Sequence, residues 1–81
     1  METKTVVSNN GVVRKYKMTR EKGFFTSHIW VYLNGKPYLH VMPTDTGTGK
    51  IFKNCEKYGY LPMCELMVNI DDITLNELIN Y

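Results

Sequence analysis

The sequence contains no alanine and no glutamine, although alanine is among the commonest residues of globular proteins. Asparagine occurs seven times, tyrosine six times, and lysine eight times against two arginines. Alanine codons are GC-rich, whereas the codons for lysine, asparagine, tyrosine and isoleucine are AT-rich. The composition therefore predicts an AT-rich coding sequence, as in many tailed phages and low-GC bacteria.

Several features of membrane and exported proteins are also missing. No apolar run approaches the ~20 residues that a membrane helix needs, and residues 1–4 lack the charged-then-apolar pattern of a signal peptide. The two cysteines, Cys55 and Cys64, are too far apart for the close pairing typical of zinc ligands. We predict a cytoplasmic protein, in the host cytoplasm if viral, with reduced thiols, no metal and no membrane contact.

Charge is divided unevenly along a chain of ordinary globular composition. The 81 residues are 43% apolar and 22% charged, which fits a single compact domain spanning residues 1–81. Residues 1–40 carry seven basic and two acidic side chains, a net +5, while residues 41–81 carry three basic and six acidic ones, a net −3. This asymmetry predicts a surface dipole that steers a partner, or two faces that attract each other.

The clearest local signal is a long β-hairpin over residues 24–42, folded about Asn34-Gly35, because this dipeptide favours a two-residue type I′ turn. With these two residues as the loop, Leu33 faces Lys36. If the pairing stays regular, the two histidines fall on opposite faces, since side chains alternate along a strand. One predicted face carries His28, Trp30, Tyr32, Pro37, Leu39 and Val41. The other predicted face carries His40, Ile29, Val31, Leu33, Tyr38 and Met42. This register argues against a His-His metal pair or a shared histidine catalytic site.

The remaining pattern predicts an α+β fold. Lys4–Val7 and Val12–Met18 are typical of strands joined by an Asn/Gly turn. Periodicity then predicts a helix over Ile51–Tyr58, a fifth strand over Cys64–Ile70 and a short last helix capped by Asp71-Asp72 or Thr74. The expected fold is a small five-stranded, mostly antiparallel sheet in the order β-β-β-β-α-β-α, with the helices packed on one face.

A glycine-rich loop over residues 44–50 precedes the predicted helix. It lacks the full phosphate-loop pattern, so it does not indicate a nucleotide hydrolase. Backbone N–H groups at a helix N-terminus beside a lysine could still hold a small anion or nucleotide. The residues of this hypothesis are Gly47, Thr48, Gly49 and Lys50.

A second binding hypothesis rests on the basic segment over residues 14–22. Its cations could contact the phosphate backbone of a nucleic acid, because such contacts need charge but no special motif. The alternative is a solvated strand edge whose lysines block unwanted pairing. The basic residues are Arg14, Lys15, Lys17, Arg20 and Lys22.

The predicted hairpin is apolar on both faces, and this is the strongest functional signal. A sheet covered by helices on one side is expected to be polar on the other. The second face therefore needs a cover: the first hairpin, a second copy in a homodimer, or a partner protein. Tryptophan and tyrosine are favoured at interface hot spots. The candidate contact residues are Trp30, Tyr32, Leu39 and Tyr16.

No arrangement of catalytic side chains is evident, so we predict a non-catalytic binding module without a cofactor. Small size and the AT-rich signature are typical of a phage accessory protein that binds and inhibits a bacterial host or defence protein. Nucleic-acid binding through the basic segment and anion binding at the glycine-rich loop are the alternatives.

Overall fold

A computed structural model describes residues 2–22, 27–44 and 47–81, which form a six-stranded antiparallel sheet and one short helix. Each strand pairs with its neighbours in chain order, so the sheet is a meander. The strands are β1 (Glu2–Val7), β2 (Val13–Lys22), β3 (Ser27–Leu33), β4 (Lys36–Pro43), β5 (Gly49–Cys55) and β6 (Gly59–Glu65), and the helix is α1 (Leu75–Ile79).

The five-stranded α+β prediction is wrong, because the segment expected to be a helix over Ile51–Tyr58 is β5 and a turn. The N–H of Tyr58 donates to the carbonyl of Cys55, and Gly59 follows with a φ of 76°. A tight turn followed by a left-handed glycine joins two strands in a common type of hairpin loop. A helix end also favours a left-handed glycine, so the same residue fits both interpretations.

The predicted fifth strand over Cys64–Ile70 is also displaced. The last strand is β6, and the chain leaves the sheet after Glu65. Pro62 lies within β6, which is an edge strand, where a missing N–H costs little. The pairing of β5 with β6 shifts by one residue beside this proline and leaves Met63 without a partner.

Asparagine and glycine specify the turns of two other hairpins, β1–β2 and β3–β4. Asn34 and Gly35 have φ values of 51° and 82°, as a type I′ turn requires, so this prediction is confirmed. In the first hairpin, the N–H of Gly11 donates to the Ser8 carbonyl across a turn centred on residues 9–10. The predicted third strand began at residues 24–25, which lie outside the described residues.

The long hairpin contains a β-bulge that the sequence interpretation missed. Leu33 pairs with Lys36 as predicted, but Val31 pairs with Leu39, so Tyr38 has no partner. The bulge follows Pro37, whose ring nitrogen cannot donate to the ladder. Beyond this point every β4 side chain occupies the face opposite to the predicted one.

The bulge places the apolar residues of β4 in the core. Leu39 and Val41 join Ile29 and Val31 on one face of the sheet, called the core face, and are 4% and 0% exposed. The regular register would have left Leu39 and Val41 on the other face and buried His40 instead. Burying each aliphatic side chain contributes about 1.5–3 kcal/mol, so the bulged register is favoured.

The C-terminal segment, residues 66–81, covers the core face. Its buried apolar side chains pack against those of the sheet in one cluster. They are Leu66, Ile70, Ile73, Leu75 and Leu78. The last helix is confirmed: Thr74 is its N-cap, and the hydroxyl of Thr74 accepts the N–H of Glu77 at 3.2 Å.

An arginine on β2 fastens this segment to the sheet. The guanidinium of Arg20 donates to the carbonyls of Ile70, at 2.9 Å, and of Ile73. It also lies 3.8 Å from the carboxylate of Glu2, whose other oxygen accepts the N–H of Leu75 at 2.9 Å. Two side chains of β1 and β2 therefore hold the start of α1.

Replacing this arginine tests the attachment. Arg20→Met keeps much of the side-chain volume but removes the hydrogen bonds to two carbonyls, and we expect it to lower the free energy of unfolding by about 2 kcal/mol. Arg14→Met on the same face of the same strand, outside the C-terminal segment, is the matched control and is expected to cost under about 0.5 kcal/mol. Urea unfolding measures both, and equal effects would contradict the attachment.

Gly49 is required by close packing. A Cβ there would lie 2.7 Å from the Val41 Cγ1 atom and 3.1 Å from the Met42 carbonyl oxygen. We expect Gly49→Ala to destabilise the fold by about 1–3 kcal/mol through overpacking. In a double-mutant cycle with Val41→Ala, the two losses should sum to more than the loss in the double variant. Strict additivity would show that the predicted clash is absent.

Candidate functional site

Among the described residues, the sheet face opposite the core face, called the open face, carries six aromatic rings. The C-terminal segment is the one described part of the chain beyond the strands and their connections, and it packs on the core face. The rings of the open face come from four adjacent strands, β3 to β6, and form what we call the aromatic cluster. They are His28, Trp30, Tyr32, His40, Phe52 and Tyr60.

Trp30 and His40 form the centre of the aromatic cluster. They are direct cross-strand partners, and their rings stack with centroids 3.7 Å apart and planes 7° from parallel. Tyr60 meets both rings edge-on, at centroid distances of 6.0 and 6.2 Å. Aromatic pairs of these geometries contribute about 0.5–1.5 kcal/mol beyond their buried area. The cluster therefore holds Trp30 in one position.

The second imidazole completes a histidine pair. The ring of His28 lies 17° from parallel to that of His40, and its Nδ1 is 3.4 Å from the His40 Nε2. One imidazole N–H donates to the bare nitrogen of the other ring. The prediction that the histidines lie on opposite faces is wrong, because the bulge at Tyr38 brings His40 onto the face of His28.

The surroundings of His40 disfavour its protonated form. Burial lowers the pKa of its imidazole below the usual value of 6.5, and the neighbouring His28 lowers it further, while Glu21 acts in the opposite direction. Glu21 is the cross-strand partner of His28 on β2. The partly buried cluster therefore favours the neutral imidazole of His40 at pH 7.

Lysines border the aromatic cluster on two sides. Lys17 pairs directly with Tyr32, and Lys15 follows on the same face of β2, in a shallow groove that also includes Thr3. On β5, the Lys50 ammonium lies 5.9 Å from the centroid of the Phe52 ring. The open face thus combines an aromatic centre with cations at its edges.

The structure separates the four predicted protein-contact residues. Trp30 and Tyr32 lie half-buried on the open face. Leu39 is buried in the core, and Tyr16 lies on the core face with its ring centroid 6.0 Å from that of Tyr38. Two of the four residues are therefore brought together on one surface.

The basic segment is divided in the same way, because side chains alternate along β2. Lys15 and Lys17 project from the open face, whereas Arg14, Arg20 and Lys22 lie on the core-face side. Arg20 is occupied by the carbonyls of the C-terminal segment. The five cations therefore do not form one stripe.

The glycine-rich loop opens a strand and not a helix, so the basis of the predicted anion site is missing. The carbonyl oxygens of Gly47 and Gly49 accept the N–H groups of Ile70 and Leu66 at 3.0 and 2.7 Å. The hydroxyls of Thr44 and Thr48 lie 3.0 Å apart. Residues 45–46 of this loop lie outside the described residues. Lys50, the last residue of the predicted loop, is part of β5 and lies on the open face.

The chemistry available to the open face is that of one shared proton. Two imidazoles in contact can hold a proton between them and exchange it with solvent. Across residues 2–22, 27–44 and 47–81, no three His, Cys, Asp or Glu side chains come together as a metal site would require. In the same ranges, no helix has the length and apolar character needed to cross a bilayer.

Four members of the aromatic cluster were absent from the sequence-based candidates: His28, His40, Phe52 and Tyr60. Phe52 and Tyr60 were missed because their segment was interpreted as a helix followed by a break. A usable signal was present, since a proline inside a paired strand marks an edge or a bulge. Pro37 and Pro62 each precede the unpaired residue of a bulge.

Comparison with protein-family models, with curated proteins and with solved structures finds no match for this chain. The functional argument therefore rests on the geometry of the open face.

The lowered pKa of His40 predicts how stability depends on pH. Between the usual value of 6.5 and the lower folded value, the unfolded chain binds the proton more readily. The neutral His40 side chain therefore contributes to stability above pH 6.5. This contribution is lost as the pH falls from 6.5 through the lower pKa of the folded state. Denaturant unfolding from pH 8 to 5 measures the slope, and His40→Asn should reduce it. A slope unchanged in that variant would contradict the assignment.

Proposed function

We propose that this chain is a non-catalytic binding module that docks a partner protein on its open face. The observation that supports this most directly is the stacked Trp30–His40 pair at the centre of a sheet face that no described segment covers. Interface hot spots are enriched in tryptophan, tyrosine and arginine near the middle of the contact. A side chain already held in place loses little entropy on binding, which favours tight association.

The stacking itself favours a protein over a nucleic acid. A base binds an aromatic side chain by covering a ring face. One face of the Trp30 ring is already covered by His40 at 3.7 Å, and Tyr60 approaches both rings. Side chains of a protein partner can instead pack between and around the rings, as they do in an ordinary protein interface.

Charge indicates the character of the partner's surface. Lys15 and Lys17 lie beside Tyr32 at one end of the open face, and Lys50 lies next to Phe52 on β5. A partner that places an apolar centre on Trp30 and carboxylates near Lys15 and Lys17 would be complementary to this surface. Charges at the rim of an interface act mainly on association rate and specificity.

The biological setting of the proposal comes from composition. An AT-rich coding signature and a small single domain are typical of phage accessory proteins, so we propose a host or defence protein as the partner and inhibition as the consequence of docking. Occupying a functional surface of the partner is sufficient for inhibition, and it requires no catalytic group on this chain.

A single-stranded nucleic acid is the second candidate. The observation in its favour is that Lys15, Lys17 and Lys50 share a face with six rings, the combination that binds single strands without a sequence motif. Such binding must weaken steeply with salt, because each phosphate contact releases counterions. Docking through an apolar centre is much less sensitive to salt.

The test compares capture by wild-type protein and variants from a lysate of the presumed host at 50 and 300 mM salt. Wild-type protein should retain a partner of the open face at both salt concentrations. Trp30→Ala should weaken the binding free energy by about 2 kcal/mol or more, roughly thirtyfold in affinity. Lys17→Glu should slow association of the partner. The interaction is then measured with the purified partner, and circular dichroism checks that each variant is folded.

Matched controls separate the open face from the rest of the surface. Arg14→Glu changes charge on the same strand as Lys17→Glu but on the other face, and Met67→Ala removes a side chain that is 86% exposed outside the open face. Both should bind like wild type. Equal binding by Trp30→Ala, or binding lost only through nuclease treatment or salt, would contradict protein docking. Self-association abolished by Trp30→Ala would show that the open face joins two copies.

A further inference from the structure

We infer that the His28–His40 pair is a pH-sensitive switch that opens the aromatic cluster on acidification. As a regulator of docking, the switch rests on the proposed function, but the switch itself is a property of the free chain. The inference comes from the 3.4 Å separation between the His28 Nδ1 and the His40 Nε2. At this separation the pair accommodates one bridging proton, and a second proton places two cations in contact.

The first proton is compatible with the observed geometry. It adds an N–H to the pair without removing the hydrogen bond between the rings, and a protonated His40 would still be attracted to the face of Trp30. The two added protons are not equivalent, because the second must enter beside the charge left by the first. The first step therefore leaves the cluster closed, and the second is the one that matters.

The second proton has little to stabilise it. The charged and titratable groups that face the pair come from three neighbouring strands: Glu21 on β2, Lys50 on β5, and Tyr60 and Glu65 on β6. Further along β2, Lys17 adds another positive charge. Glu21 is the nearest compensating group in the register, directly opposite His28. Glu65 is the cross-strand partner of Lys50. Among the described residues this leaves Glu21 as the carboxylate directly at the pair, and one carboxylate cannot neutralise two imidazolium rings.

Rotation of one side chain can relieve the repulsion between the two protonated imidazoles. Both imidazoles are half-buried on a face that no described segment covers. Burial disfavours the charged form of His40, so we assign the rotation toward solvent to the His40 ring. Rotation separates the two cations but breaks the 3.7 Å stack with Trp30. The docking surface then loses the contact that holds its central side chain. Acidification should therefore weaken docking without unfolding the core, which lies on the other side of the sheet.

The test uses the free protein and nuclear magnetic resonance from pH 8 to 4.5. Protons of the His40 ring should be shifted upfield by the stacked indole at pH 8, and this shift should be lost in the second of two titration steps. The methyl signals of Ile51 and Val41 report whether the core stays folded. Retention of the upfield shift with both rings protonated would overturn the inference, and so would two independent single-step titrations.

His28→Gln is the decisive variant, because it removes the repulsion and leaves the Trp30–His40 stack intact. In this variant His40 should titrate in one step at a higher pH than its final step in wild type, and its upfield shift should persist at pH 4.5. Loss of the shift in both proteins alike would contradict the switch. If the His28→Gln protein folds poorly, His28→Asn serves the same purpose. If the resonance experiment shows the switch but the capture experiment finds no partner, the docking proposal is overturned and the switch stands.

Discussion

One unpaired residue in β4 decides what each face of this sheet contains. Because Tyr38 has no partner on β3, the alternation of β4 is reversed beyond it. Leu39 and Val41 therefore enter the core, and His40 meets Trp30 on the opposite side. The energetic reason lies in the core, since burying two aliphatic side chains outweighs the disruption of one ladder position. The composition of the open face is thus a consequence of packing on the other face.

Because side chains alternate along β2, those on one face stabilise the fold and those on the other are available for binding. Arg20 points to the core-face side and holds the C-terminal segment through its carbonyls, with Glu2 beside it. Lys15 and Lys17, on the other side, reach the groove next to Tyr32. A basic run that looks uniform in sequence therefore contains two kinds of residue. Their separation explains why variants of neighbouring cations on this strand should differ in their effects.

The sequence was informative wherever a local conformation had one dominant cause. Asn34-Gly35 specified its turn through two positive φ angles, and Thr74 specified the start of α1 through its hydroxyl. The sequence was misleading where one residue pattern suits two different local structures. Gly59 suits both a helix end and a hairpin loop, so β5 was mistaken for a helix. The histidine pair was missed for a different reason: alternation predicts the face of a side chain only while the register is unbroken, and the register breaks beside Pro37.

An exposed sheet face with six rings departs from the polar pattern expected of a solvated antiparallel sheet. Departures of this kind in a folded protein are expected at functional positions, where stability is not the only requirement. Stability alone gives no reason to place Trp30, Phe52 and Tyr60 outside the core, since the core face is already filled by aliphatic side chains and the C-terminal segment. Binding does give a reason, because a partner would bury what this chain leaves half-exposed. The position of His40 within those rings then links any such contact to pH, since a partner that covers His40 further disfavours its protonation.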